Sequence, residues 1–138
     1  MTENNPEHED LTKLGEGATQ PKRELETFPN RNPDRAYVVE LRTDEFTCLC
    51  PKTGQPDFAE IFIRYVPDQK IVESKSLKLY LWTYRNEGVF HEHFANLLLN
   101  DLVDALSPKW CRVEVDFKAR GGIGIKVLAE HGNPPNLL

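Results

Sequence analysis

The sequence predicts an α+β fold: a four-stranded antiparallel sheet in the order β-β-α-α-β-β, with two helices on one face. Three observations predict it. Two stretches before residue 70 and two after residue 108 alternate apolar and polar residues, as half-buried strands do. Between them, residues 74–106 carry apolar side chains at helical spacing, with one break near Asn86–Gly88. Proline and glycine punctuate the joints, at Pro51–Gly54–Pro56, Pro67, Gly88, Pro108 and Gly121–Gly122.

The first strand is expected over Ala36–Thr43, where Tyr37, Val39 and Leu41 share a face. A sharp turn through Pro51, Gly54 and Pro56 leads to the second strand, Ala59–Val66, whose inward residues are Ile61, Ile63 and Tyr65. From Ser74, a possible N-cap, Leu77, Leu81 and Tyr84 recur at helical spacing. The next helix starts at Phe90 or His91, places Phe94, Leu98 and Leu102 on one stripe, and stops at Ser107–Pro108. In the third strand Cys111, Val113, Val115 and Phe117 alternate with Arg112, Glu114 and Asp116. After a turn at Arg120–Gly122, Ile123, Ile125 and Val127 mark the fourth. Four strands leave two open edges, so oligomerisation is the expected remedy.

Composition narrows the function. A chain of 138 residues suits one domain and has no room for a dinucleotide-binding βαβ fold plus a substrate domain. A net charge of −5 argues against a nucleic-acid partner. Residues 1–34 hold eight acids against four bases and four prolines, so they read as a flexible acidic arm before a 35–138 domain. No apolar run exceeds four residues, which leaves no membrane span, and the acidic start is no secretory signal. Three cysteines without a CxxC pair suggest a reducing, cytoplasmic setting rather than a disulfide framework.

Several residues could carry chemistry. Cys50 opens a Pro/Gly turn, a place for a reactive thiol on a rigid sheet, and equally a place for a structural cysteine. As a nucleophile it would need its ordinary pKa of about 8.5 lowered. Cys48 and Cys111 read as structural. Asp57 follows Cys50 by seven residues, so a turn could return its carboxyl to the sulfur for proton transfer, or simply bond its own backbone. His91, Glu92 and His93 open a helix; adjacent helical positions diverge by about 100°, so the three do not converge on one metal ion. His91 and Glu92 could face a pocket, with Glu92 accepting from an N–H-rich heterocycle or merely favouring the helix dipole. Lys75 and Lys78, three apart at a helix start, form a phosphate clamp or a solvated face. Arg120, beside two glycines, is a further phosphate candidate or a surface arginine.

Together these residues are more specific. Glu73-Ser74-Lys75-Ser76-Leu77-Lys78-Leu79-Tyr80 resembles, at all eight positions, the signature of the QueF-type 7-cyano-7-deazaguanine reductases. These are the nitrile reductases of queuosine biosynthesis, a tRNA modification. Leu49-Cys50-Pro51 with Thr53–Phe58 upstream, and Phe90-His91-Glu92 downstream, resemble the same family. The resemblance implies a tunnelling fold of the short, single-module type, assembled as a ring, typically two stacked pentamers with active sites between subunits. It implies that Cys50 attacks the nitrile of 7-cyano-7-deazaguanine to form a thioimide, with Asp57 protonating the nitrogen. It further implies that Glu73, Ser74, Phe90, His91 and Glu92 bind the substrate. Lys75, Ser76 and Lys78 would bind NADPH, two of which complete the reduction to the aminomethyl product, and no metal is needed. A zinc-dependent pterin-type cyclohydrolase of related fold is the alternative, although three convincing metal ligands are not apparent.

Overall fold

The structure, a computed structural model, describes residues 22–137. Its elements in chain order are β1 (Thr27–Pro29), β2 (Val39–Leu49), β3 (Pro56–Val66), β4 (Lys70–Val72), α1 (Ser74–Trp82), α2 (His91–Leu106), β5 (Trp110–Arg120) and β6 (Ile123–Gly132). Strands β2-β3-β5-β6 form the four-stranded sheet, every neighbouring pair antiparallel, and β1-β4 form a separate two-stranded ribbon. The expected α+β arrangement is therefore present.

The inward residues follow the sequence periodicity. Ile61, Ile63 and Tyr65 on β3 and Cys111, Val113, Val115 and Phe117 on β5 are buried beneath Phe94, Leu98 and Leu102 of α2. Helix α2 begins at His91 and ends where Ser107 turns left-handed, with φ 44°, ahead of Pro108. On the outer sheet face Arg42–Glu60 and Arg64–Glu40 pair across β2 and β3 at 3.3 and 3.1 Å.

Four expectations need correction. The first strand does not stop at Thr43: β2 continues to Leu49 past a register shift between Thr43 and Phe46. That bulge interrupts the alternation, which hid the rest of the strand, and it turns Phe46 into the core. Asp57 lies not in the turn but in β3, opposite Cys48. The cap of α1 is Glu73 rather than Ser74, its carboxylate accepting from the Lys75 and Ser76 N–H groups at 2.9 and 2.7 Å.

The fourth concerns the start of order, expected near Arg35. Residues 1–21 of the expected arm lie outside the described residues, but residues 22–34 pack on the body. The β1–β4 ribbon pairs Thr27 with Val72, and Asn30 is buried, its side-chain amide donating to the Asp68 carbonyl at 2.7 Å. Three-residue strands are too short to show a period, so composition alone spoke for this segment.

Candidate active site

The site is built at the end of the sheet where β2 turns into β3. Cys50 follows β2 directly, and its turn is closed by two backbone bonds, Cys50 N–H to the Gln55 carbonyl at 2.8 Å and Gly54 N–H to the Cys50 carbonyl at 2.9 Å. Gly54 takes φ 70°, a conformation glycine adopts without strain. A second strut comes from the α1–α2 connection. Leu49 N–H donates to the Glu87 carbonyl at 2.9 Å, and Val89 N–H to the Leu49 carbonyl at 3.1 Å. Gly88 lies so close to Pro51 that a Cβ there would sit 2.9 Å from the Pro51 Cα. The helix connection is thus pressed onto the cysteine turn.

A cleft of about 470 Å³ opens over this turn. Cys50 and Asp57, Phe90, His91 and Glu92 from the start of α2, and Lys118 and Arg120 from β5 line it. Asp57 is only 3% exposed. Its Oδ2 lies 3.0 Å from His91 Nε2, and its Oδ1 accepts from Arg120 Nη1 at 2.5 Å. Arg120 Nη2 donates to the Gln55 side-chain oxygen. The His91 ring stacks on Phe117 with centroids 3.7 Å apart and planes 6° apart, which fixes its orientation toward the acid.

The electrostatics separate the two candidate catalytic groups from their ordinary states. Burial pushes the Asp57 carboxyl up, but hydrogen bonds from His91 and Arg120, together with their charge, outweigh it and hold the group below the usual carboxylate range. Cys50 is lowered to about 7, chiefly by the Thr53 hydroxyl, then by the backbone N–H groups of Thr53 and Lys52, with the Arg120 charge adding to it. Cys48 and Cys111, by contrast, are pushed up to about 12, first of all by burial. One thiol in three is therefore readied for ionisation. Among the described residues no group of three or more His, Cys, Asp or Glu is placed to hold a metal ion.

The expected site residues divide. Cys50, Asp57, Phe90, His91 and Glu92 meet in the cleft. Glu73, Ser74, Lys75 and Lys78 do not line it; they sit on α1, where Glu73 caps the helix. Ser76 is buried, its hydroxyl accepting from Glu26 N–H at 2.9 Å and donating to the Glu73 carbonyl at 2.8 Å. Arg120, the further phosphate candidate, lines the cleft, and its guanidinium pairs with Asp57 and Gln55. Lys75 and Lys78 are exposed and, among the described residues, in no ion pair, so they fit the phosphates of a dinucleotide such as NADPH. Sequence reasoning missed Thr53, Gln55 and Lys118. Only Thr53 carried a signal, a hydroxyl three residues beyond Cys50 in a tight turn.

Known proteins share the chain's sequence and fold. The family model described as QueF-like protein matches residues 56–136. The chain is 63% identical over 124 residues to the NADPH-dependent 7-cyano-7-deazaguanine reductase of Syntrophus aciditrophicus, covering 90% of this chain and 88% of that one. It is 59% identical over 113 residues to the reductase of the same name from Thermomicrobium roseum, covering 82% and 88%. Among solved structures, the archaeosine synthase QueF-Like in its apo form superposes with a TM-score of 0.65 at 28% identity, over 71% of this chain and 96% of that one. By family model, identity and fold alike, the chain belongs to the QueF-like family and stands with its NADPH-dependent 7-cyano-7-deazaguanine reductases.

Proposed function

We propose that the chain reduces the nitrile of 7-cyano-7-deazaguanine to the aminomethyl group in queuosine biosynthesis, with Cys50 as nucleophile and Asp57 as proton carrier. One observation carries the reading: a thiol lowered to about 7 shares a cleft with a buried carboxylate held between His91 and Arg120.

The residues fit each stage. With its pKa about 7, Cys50 is substantially thiolate at neutral pH and can add to the electrophilic nitrile carbon, forming a C–S bond as one C–N π bond opens. Asp57 rests as a carboxylate, so it takes up a proton, from the fraction of Cys50 still present as thiol or from solvent through His91, and delivers it to the nitrile nitrogen, leaving a thioimide. His91, 3.0 Å from Asp57, steadies the carboxylate and links it to solvent-borne protons. Glu92, at the cleft wall, accepts from the N–H edge of the deazaguanine, and exposed Phe90 covers its ring. NADPH, when bound, supplies a hydride for each of the two successive C=N reductions. Lys75 and Lys78 would hold its phosphates, and Cys50 would leave as thiolate when the thioimide carbon has been reduced, giving the imine.

The site is completed between copies of the chain, as two stacked pentamers in the reading suggested by the family resemblance. Glu73 and Ser74, the remaining substrate residues, stand on α1 away from the cleft and reach it from a neighbouring subunit. Phe90 and Ile123 at the rim are 50% and 69% exposed, an apolar lip suited to a partner. Strands β2 and β6 leave open edges where sheets can join. No helix among the described residues is long and apolar enough to cross a membrane. Three free cysteines suit a reducing cytoplasm.

The test is to mix the protein with 7-cyano-7-deazaguanine and follow NADPH absorbance. Two NADPH oxidised per amine formed supports the proposal, and absence of oxidation sinks it. Without NADPH, mass spectrometry should find one substrate adduct on the wild-type chain and none on Cys50→Ala.

A further inference from the structure

A second cavity lies apart from the Cys50 cleft, in the groove between α1 and β2, with a volume of about 240 Å³. Its lining combines apolar residues, Leu41, Phe46 and Ile63 among them, with Trp82, three cations (Arg42, Lys78 and Arg85) and one acid, Glu45. Trp82 is 36% exposed, unlike the other tryptophan, Trp110, which is 1% exposed with its indole N–H bonded to Glu130 at 2.8 Å. The Trp82 ring is flanked by two cations, the Lys78 ammonium at 4.9 Å and the Arg85 guanidinium at 5.4 Å from its centroid. Residues 74–85 carry Lys75, Lys78 and Arg85 and no acid, and none of these three cations is in an ion pair among the described residues.

A part-exposed indole beside an apolar slot, bordered by Lys78 and Arg85, which are in no ion pair among the described residues, suits a purine base that carries phosphates. The ring offers a face for stacking, and the cations offer charge-assisted bonds. The order of residues along the helix narrows the match. Lys75 and Lys78 precede Trp82, and Arg85 follows it, so the aromatic surface lies between two positive ends. In an adenosine 2′-phosphate dinucleotide the diphosphate and the 2′-phosphate both leave the ribose next to the base, so an adenine stacked on Trp82 would bring each within reach of the cations that border the ring. Arginine's planar fork suits a terminal phosphate monoester.

We propose that this groove is the subsite for the adenosine 2′-phosphate half of the cofactor, with Trp82 stacking on adenine and Arg85 binding the 2′-phosphate. This rests on the reading that Lys75 and Lys78 hold the cofactor's diphosphate. The assignment separates NADPH from NADH by one residue, Arg85, outside the cleft where the chemistry occurs.

The test titrates 2′,5′-ADP, NADP⁺ and 5′-AMP into the full chain while following tryptophan fluorescence. Because Trp110 is buried, quenching reports on Trp82. All three ligands should quench the wild type, and Trp82→Phe should abolish the signal while retaining binding by calorimetry. Trp82→Ala should weaken all three ligands by about tenfold or more. Arg85→Ala should weaken 2′,5′-ADP and NADP⁺ about tenfold and leave 5′-AMP unchanged. Circular dichroism confirms that each variant is folded. If the wild type binds NADP⁺ but Trp82→Ala and Arg85→Ala bind it equally well, the groove proposal is overturned while the lysine reading stands. If Lys78→Ala binds as the wild type does while the other two variants fail, the lysine reading falls and the groove remains. Failure of the wild type to bind NADP⁺ at all overturns both.

Discussion

Within the Cys50 turn, the nucleophile depends on a neighbour that is not itself a catalytic candidate. The Thr53 hydroxyl is the largest contributor to the lowered Cys50 pKa, ahead of the Arg120 charge. Thr53→Val should therefore move the midpoint of Cys50 alkylation upward from about 7 toward the ordinary thiol value, and by more than Arg120→Ala does. Iodoacetamide labelling against pH, read by mass spectrometry, measures both. Asp57 has the opposite linkage. Its folded pKa is depressed, so its contribution to stability is present above the ordinary carboxylate value of about 3.9 and is lost as pH falls below it. Asp57→Asn should accordingly flatten the acid limb of a melting-temperature profile below about pH 4. At neutral pH it should cut turnover by orders of magnitude with substrate still bound; an unchanged rate would remove Asp57 from proton transfer. Cys50 and Asp57 were both legible in the sequence as candidates, because a reactive thiol and an acid seven residues apart across a turn form a local pattern. The partners that set their protonation were not, since His91 and Arg120 lie 34 and 63 residues from Asp57 along the chain.

Among the elements, the connection between the helices does more than link them. Leu49 exchanges backbone hydrogen bonds with Glu87 and Val89, and Gly88 sits against Pro51 with no room for a side chain. Gly88→Ala should push the Pro51 backbone and displace Cys50, because a Cβ at 2.9 Å from a backbone atom forces a shift. The expected outcome is at least a tenfold fall in turnover with a melting temperature lowered by only a few degrees. Steady-state kinetics beside calorimetry decides it, and wild-type turnover would show that the turn does not depend on this contact. The remaining elements show where periodicity suffices. Helix α2 and strand β5 were readable because each presents one continuous apolar stripe to the core. Strand β2 was read only to Thr43, because its bulge breaks the alternation, and β1 and β4 were missed because three residues display no period.

For the whole molecule, the candidate residues separate into two groups. The cleft gathers Cys50, Asp57, Phe90, His91 and Glu92, while α1 carries Glu73, Ser74, Lys75 and Lys78 elsewhere on the surface. If the proposed oligomer joins the cleft of one copy to the α1 of another, two defective variants should complement each other. Cys50→Ala and Glu73→Gln, each inactive alone, should recover up to about a quarter of wild-type activity when mixed and reassembled, because random pairing leaves that share of sites intact. Dissociation and remixing in mild denaturant, with NADPH consumption as the readout, tests this. No recovery from a mixture shown to exchange subunits would place the whole site within one chain.

The sequence by itself determined the fold class, the inward faces of the unbroken elements β3, β5 and α2, and the residues able to do chemistry. Each of these is written in local spacing: period two, period three to four, or a motif within a dozen residues. Tertiary structure alone decided which candidates act together. It set Arg120 on Asp57, bonded the buried Ser76 hydroxyl to Glu26, and made Glu73 a helix cap. It also packed residues 22–34 onto the body, where acidic charge and proline content had pointed to a flexible arm. The reason is physical: periodicity fixes the direction in which a side chain points, whereas the partner it meets depends on how distant segments are brought together.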